Sequence, residues 1–103
     1  MTPSSSSEKS FNDWYEDEHI PLLSGVPGWL DSGRYRLTIS TTSHAPSYVA
    51  LHRWTDLAAF DTAEYKTATN TAWRTTVMEK VVKKERFLLQ YKGELCNILD
   101  TLL

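Results

Sequence analysis

Three histidines, one cysteine and thirteen carboxylates are the groups with which this 103-residue chain can move protons or bind a metal ion. His19 comes four residues after Tyr15 and eight after Phe11, so on a helix all three side chains share one stripe. An imidazole titrates near neutral pH and can take and return a proton in one cycle. The alternative for His19 is a helix-end histidine bonded to a nearby carbonyl. His52 falls within the alternating stretch Tyr48-Val49-Ala50-Leu51-His52-Arg53-Trp54. There it either satisfies a structural hydrogen bond or faces the same space as His19. Tyr15 and His52 are the groups to polarise a carbonyl. The candidate catalytic set is therefore His19, His52 and Tyr15. Phe11, Tyr35 and Trp73 are the candidate substrate-binding walls, with core filling as their other reading.

The remaining chemistry is narrower. Glu16, Asp17, Glu18 and His19 look like metal ligands, but consecutive helical residues diverge by about 100° and cannot all meet one ion. There is no H-E-x-x-H pair either, so no metal is expected. Arg34 and Arg36, on the opposite strand face from Tyr35, would hold a substrate carboxylate or lie along the surface. His44 sits in a polar loop beside Pro46 and reads as solvated. Cys96 is the single cysteine, which excludes an intramolecular disulfide and a cysteine-built zinc site. With no cation nearer than Lys92 it is not a nucleophile. No G-x-S-x-G turn and no glycine-rich phosphate loop occurs.

Composition limits the partners. A net charge of −2 gives no electrostatic case for nucleic acid or an anionic membrane. The first ten residues lack a hydrophobic signal region, and no apolar run approaches transmembrane length. A single cytoplasmic domain is the expectation. Aromatic residues make up 12% of the chain, which suits either a small core or a cavity for a flat organic ligand.

The elements that would position these residues follow from periodicity. Residues 1–10 are serine-rich and predict a disordered arm, with a helix capped at Ser10 or Asn12. Apolar positions 11, 14, 15, 19 and 22 predict that helix, which Pro21 should end or bend. Ser24 to Gly28 is a loop. Gly33–Thr41 and Ser47–Trp54 alternate as two strands of an antiparallel hairpin. A short helix capped by Thr55 or Asp56 runs through Phe60, restarts at Asp61 or Thr62, and is followed by a longer one from Thr71 to Val81 or Val82. A last strand spans Lys84 or Glu85 to Tyr91. The stripe Leu95, Ile98, Leu99 and Leu102 predicts a C-terminal amphipathic helix over 94–103. The order implies an α+β domain over 11–93, an antiparallel sheet with helices on one face. Apolar residues on both strand faces favour a homodimer.

The segment Phe11-Asn12-Asp13-Trp14-Tyr15-Glu16-Asp17-Glu18-His19-Ile20-Pro21-Leu22 resembles the helical signature of the dimeric α/β barrel superfamily, and especially its EthD-like branch. The resemblance continues through Val26-Pro27-Gly28-Trp29, Arg34-Tyr35-Arg36-Leu37, Tyr48 to His52, Thr71-Ala72-Trp73-Arg74 and Glu85-Arg86-Phe87. It implies a ferredoxin-like β-α-β-β-α-β subunit whose sheet packs on that of a second copy. It further implies a cofactor-independent enzyme acting on an aromatic or polyketide-type intermediate, by His-driven cyclisation or decarboxylation, in natural-product biosynthesis. Such relatives also include cofactor-free oxygenases, haem binders and proteins without an assigned reaction; a non-catalytic ligand-binding or dimerisation module is the rival reading. The family places a strand before the first helix, where this chain has only Thr2-Pro3-Ser4-Ser5-Ser6-Ser7-Glu8-Lys9. That strand is either missing, replaced by the C-terminal segment, or supplied by a partner chain.

Overall fold

The stretch Tyr48 to Trp54 has apolar residues on both faces, as an inner strand requires, and it is the strand on which the domain is built. The computed structural model describes residues 1–93 and 97–103. In chain order the elements are β1 (Thr2–Pro3), α1 (Glu8–Trp14), α2 (Ile20–Leu23), β2 (Trp29–Arg36), β3 (Tyr48–Trp54), α3 (Ala63–Ala68), α4 (Ala72–Glu79), β4 (Val81–Lys83), β5 (Arg86–Gln90) and β6 (Ile98–Leu102). A widened π turn over Tyr15–His19 joins α1 to α2, and a 3₁₀ turn, Leu57–Asp61, precedes α3.

The main sheet has the order β2-β3-β6-β5, antiparallel throughout. β3 and β5 therefore run parallel to each other, with β6 inserted between them. In a ferredoxin-like subunit that slot belongs to the strand ahead of the first helix; here the C-terminal strand fills it. The result is an α+β fold consistent with the ferredoxin-like plan.

Two sequence expectations are corrected at the ends of the chain. Residues 98–102 form a strand, not a helix. Ile98, Leu99 and Leu102 fit a helical stripe, but Ile98, Asp100 and Leu102 also alternate with Leu99 and Thr101, and a short apolar run does not distinguish the two periods. The unpaired edges of β3 and β5 decide the matter, because a strand there satisfies backbone groups on both sides. The rest of that stripe, Leu95, lies with Glu94 and Cys96 outside the described residues. Residues 1–10 are likewise ordered. Thr2 and Pro3 pair with Lys83 and Val81, and Met1 packs in a buried cluster with Phe11, Trp14 and Tyr15. The serines act through local turn chemistry, Ser7 Oγ donating to the Ser4 carbonyl at 3.1 Å, and α1 starts at Glu8 without waiting for Ser10.

Smaller differences have local causes. β2 stops at Arg36 because its partner begins at Tyr48, just past Pro46, which has no N–H to donate to the ladder. Ile39 is consequently 86% exposed. The helix passes Pro21 and ends at Leu23, because the chain widens into the π turn just ahead of the proline and accommodates its missing N–H there. Gly28, at φ 96°, makes the turn into β2.

The helices cover one sheet face only, and the Cα envelope is 40 × 35 × 16 Å. Across the covered face run the rows Ile98–Trp54–Trp29, Asp100–His52–Ser32 and Leu102–Ala50–Arg34; the open face carries Leu89–Leu99–Arg53, Phe87–Thr101–Leu51 and Val49–Tyr35. Deleting residues 97–103 would leave two sheet edges facing each other with no ladder between them. The truncated chain is expected to lose its cooperative urea transition; an unchanged transition midpoint would show that β6 is dispensable.

Candidate functional site

The covered face of β3 and the widened turn after α1 bring both candidate histidines to one place. Ile20 N–H bonds to the Tyr15 carbonyl, an i→i−5 bond, and such wide turns rotate the side chains that follow them. The consequence is that His19 stacks on Trp14, five residues back, at 4.4 Å between ring centroids and 22° between planes. Its edge contact with Tyr15 is at 5.4 Å. The His52 ring, in the adjacent sheet layer, is 6.2 Å from that of His19.

These rings line a cavity of about 70 Å³ between helices and sheet, walled also by Trp14, Trp54, Tyr65, Thr69, Arg74, Arg86 and Asp100. Both imidazoles are held uncharged. Burial pushes His19 down to about 3, with His52 and Arg74 acting the same way and the Ala68 backbone opposing. Burial likewise pushes His52 to about 4, against the attraction of Asp100. Desolvation therefore favours the neutral ring at both positions.

Ser32 Oγ accepts from Trp29 Nε1 at 2.9 Å and lies 2.7 Å from His52 Nδ1, which leaves His52 Nε2 without a partner. For His19 the unpartnered nitrogen is Nδ1. Each neutral ring carries one N–H and one lone pair.

Asp100 is 2% exposed and held by Arg86, whose Nε and Nη2 donate to its two oxygens at 2.8 and 2.9 Å. This two-pronged pair arrives from β5 and β6, beside His52 in the sheet register.

Of the residues predicted from sequence, His19, His52 and Tyr15 meet at this cavity. Burial pushes the Tyr15 phenol upward and its hydroxyl donates to Met1 Sδ at 3.7 Å, so it is a neutral hydrogen-bonding group. The predicted walls do not meet there. Phe11, 1% exposed, is core; Trp73 packs against that same core; Tyr35 is 58% exposed on the open sheet face, because strand alternation places it opposite Arg34. Arg34 is not free for a ligand either: it bonds Glu16 and Asn12 at 2.8 and 2.6 Å and lies over the Tyr15 ring at 4.5 Å. Arg36 and His44 are exposed, and Cys96 lies outside the described residues. Among the described residues no three His, Cys, Asp or Glu side chains converge as a metal ion requires, and no helix is long and apolar enough to cross a membrane.

Sequence reasoning missed Arg74, Arg86, Asp100 and Tyr65. The available signal was a lone acid, Asp100, in an otherwise apolar C-terminal stretch, with Arg86 on the alternate face from Phe87. No protein-family model, curated protein or solved structure matches the chain.

Two outcomes follow from the electrostatics. Both histidines have folded-state values below their ordinary 6.5, so the unfolded chain binds more protons in the window below that value, and stability falls as pH drops through it. About 2 kcal/mol per histidine is expected to be lost between pH 7.5 and 5. Urea unfolding across that range checks this, with His19→Gln and His52→Gln each flattening the slope. Asp100→Asn leaves Arg86 with a weakened partner and should lower stability by about 1–3 kcal/mol at pH 7; an unchanged unfolding midpoint would remove the pair from the stability argument.

Proposed function

We propose that this domain is a small cofactor-independent enzyme that uses His19 and His52 to move a proton to or from carbon, as cyclisation or decarboxylation of an aromatic or polyketide-type intermediate requires. The observation that carries the reading is the buried pair of uncharged imidazoles, His19 and His52, which line one cavity and each hold a nitrogen without a partner. Two neutral imidazoles with ring centroids 6.2 Å apart suit removal of a proton at one atom and stabilisation of the developing oxyanion at another. The low basicity of His19 belongs to the empty cavity; an anionic guest offsets the cost of desolvation and restores it. The resemblance of residues 11–22 to the EthD-like helix supports the same choice of His19.

The cavity size shapes this reading. About 70 Å³ is far below the roughly 300–1,000 Å³ of a drug-sized pocket. It takes a small head group only, while the rest of a ring system must lie outside it. That same restriction favours the rival reading, a non-catalytic binding or dimerisation module.

A second copy belongs to the proposal. The open sheet face presents Tyr35, Phe87 and Leu89 at 58, 48 and 51% exposure, in rows continuous with Leu51 and Leu99. Pairing two such faces gives the dimeric barrel and hides an apolar surface that water would otherwise meet.

Turnover is tested on anthrone-type and β-keto-acid polyketide intermediates, following cyclised product, carbon dioxide release and oxygen uptake. His19→Gln is expected to abolish product formation with an unchanged circular dichroism spectrum; a His19→Gln rate equal to wild type removes the imidazole from the chemistry. No turnover on any of these substrates, with a folded dimer, selects the binding module, while oxygen consumption selects a cofactor-free oxygenase. For the dimer, sedimentation should give twice the chain mass for the native protein and the monomer mass for Phe87→Asp/Leu89→Asp.

A further inference from the structure

Arg74, on α4, is half-buried at the cavity wall. Its backbone N–H is bonded to Thr71, yet its guanidinium has no hydrogen bond or ion pair with any of the described residues. The other arginines on the covered face are engaged, Arg34 by Glu16 and Asn12 and Arg86 by Asp100. The acids around Arg74 are engaged too. Asp100 has both oxygens on Arg86, and Glu18 accepts from the Thr71 hydroxyl at 2.7 Å.

The unpartnered buried polar atoms point the same way. Trp14 Nε1, His19 Nδ1, His52 Nε2 and Trp54 Nε1 are without hydrogen bonds, and all four residues line this one cavity. An indole nitrogen is only ever a donor, so at least two of the four atoms ask for acceptors. Leaving each unmet costs about 1–3 kcal/mol. With both imidazoles neutral, Arg74, Arg86 and Asp100 leave the wall with a single net positive charge. A donor-rich, singly cationic space of about 70 Å³ fits a small planar monoanion.

We infer that the head group this cavity receives is a carboxylate, anchored by Arg74 and by the unpartnered indole N–H groups of Trp14 and Trp54. The inference rests on the cavity being the functional site and adds the substrate class and its specificity-determining residue. A carboxylate gripped by a guanidinium is stabilised as it stands. It therefore serves as an anchor that remains on the product, which favours cyclisation over loss of carbon dioxide.

Acetate is the probe, with acetamide as its uncharged counterpart, both titrated into the full-length protein at constant ionic strength. Saturable shifts of the Trp14 and Trp54 indole N–H resonances with acetate, in the millimolar range suited to so small a ligand, and none with acetamide, are expected. Arg74→Gln should weaken acetate binding about tenfold or more, and Arg74→Lys should recover part of it. Equal binding of acetate and acetamide by the native protein would overturn the inference, as would Arg74→Gln binding acetate within a factor of two of wild type, or no saturable shift at all. Arg74-dependent acetate binding alongside full turnover by His19→Gln would leave the anchor standing and remove the proposed proton transfer. Loss of turnover in His19→Gln without acetate binding would do the reverse.

Discussion

The pairing of Ala50–Trp54 with Ile98–Leu102 is the contact on which the rest of the molecule depends. It closes the gap between β3 and β5, pairing with both of their facing edges. It also brings Asp100 next to His52, where no other described acid lines the cavity. A backbone requirement, the satisfaction of two strand edges, thus delivers the one carboxylate of the site. Arg86 reaches that carboxylate from the neighbouring strand, and the pair stays partly wet on the arginine side, 41% exposed against 3% for Asp100.

A second constraint acts through the helix. Pro21 cannot donate a hydrogen bond to the preceding turn, and the chain widens by one residue just ahead of it. Widening places His19 over Trp14 and not farther round the helix. The stack shields the imidazole from water, and shielding is what keeps it neutral. The same turn that positions this imidazole therefore also lowers its basicity.

The two layers account for the division between site and surface. One sheet face meets the helices and contains every row that reaches the cavity; the other is apolar and uncovered. Strand alternation alone separates Arg34 from Tyr35 and His52 from Leu51. The hairpin was legible from that alternation, and the start of α4 from Thr71, whose side chain accepts from the Arg74 N–H; its end was not, since Val81 and Val82, expected to close the helix, pair with the N-terminal strand as β4. The meeting of His19, His52 and Tyr15 at one cavity was legible from helical and strand periodicity. The cavity walls were not, because Phe11 and Trp73 carry the same apolar signal whether they face a ligand or a core.

What the sequence determined by itself is local: periodicity assigns the central strands, hydroxyl caps start the later helices, and the types and spacing of Tyr15, His19 and His52 mark where proton chemistry is possible. Tertiary structure decided whatever depends on partners distant along the chain. Ile98–Leu102 fits a helix or a strand equally well until two open edges are offered to it. Met1 and the polar residues after it are ordered only because Lys83 and Tyr48 lie beside them. Arg74 is one more helical arginine until Arg34 and Arg86 are seen to have taken the nearby acceptors. Local propensities are worth tenths of a kcal/mol per residue, whereas an unsatisfied strand edge or an unpaired buried polar group costs several times that, so the distant partner wins.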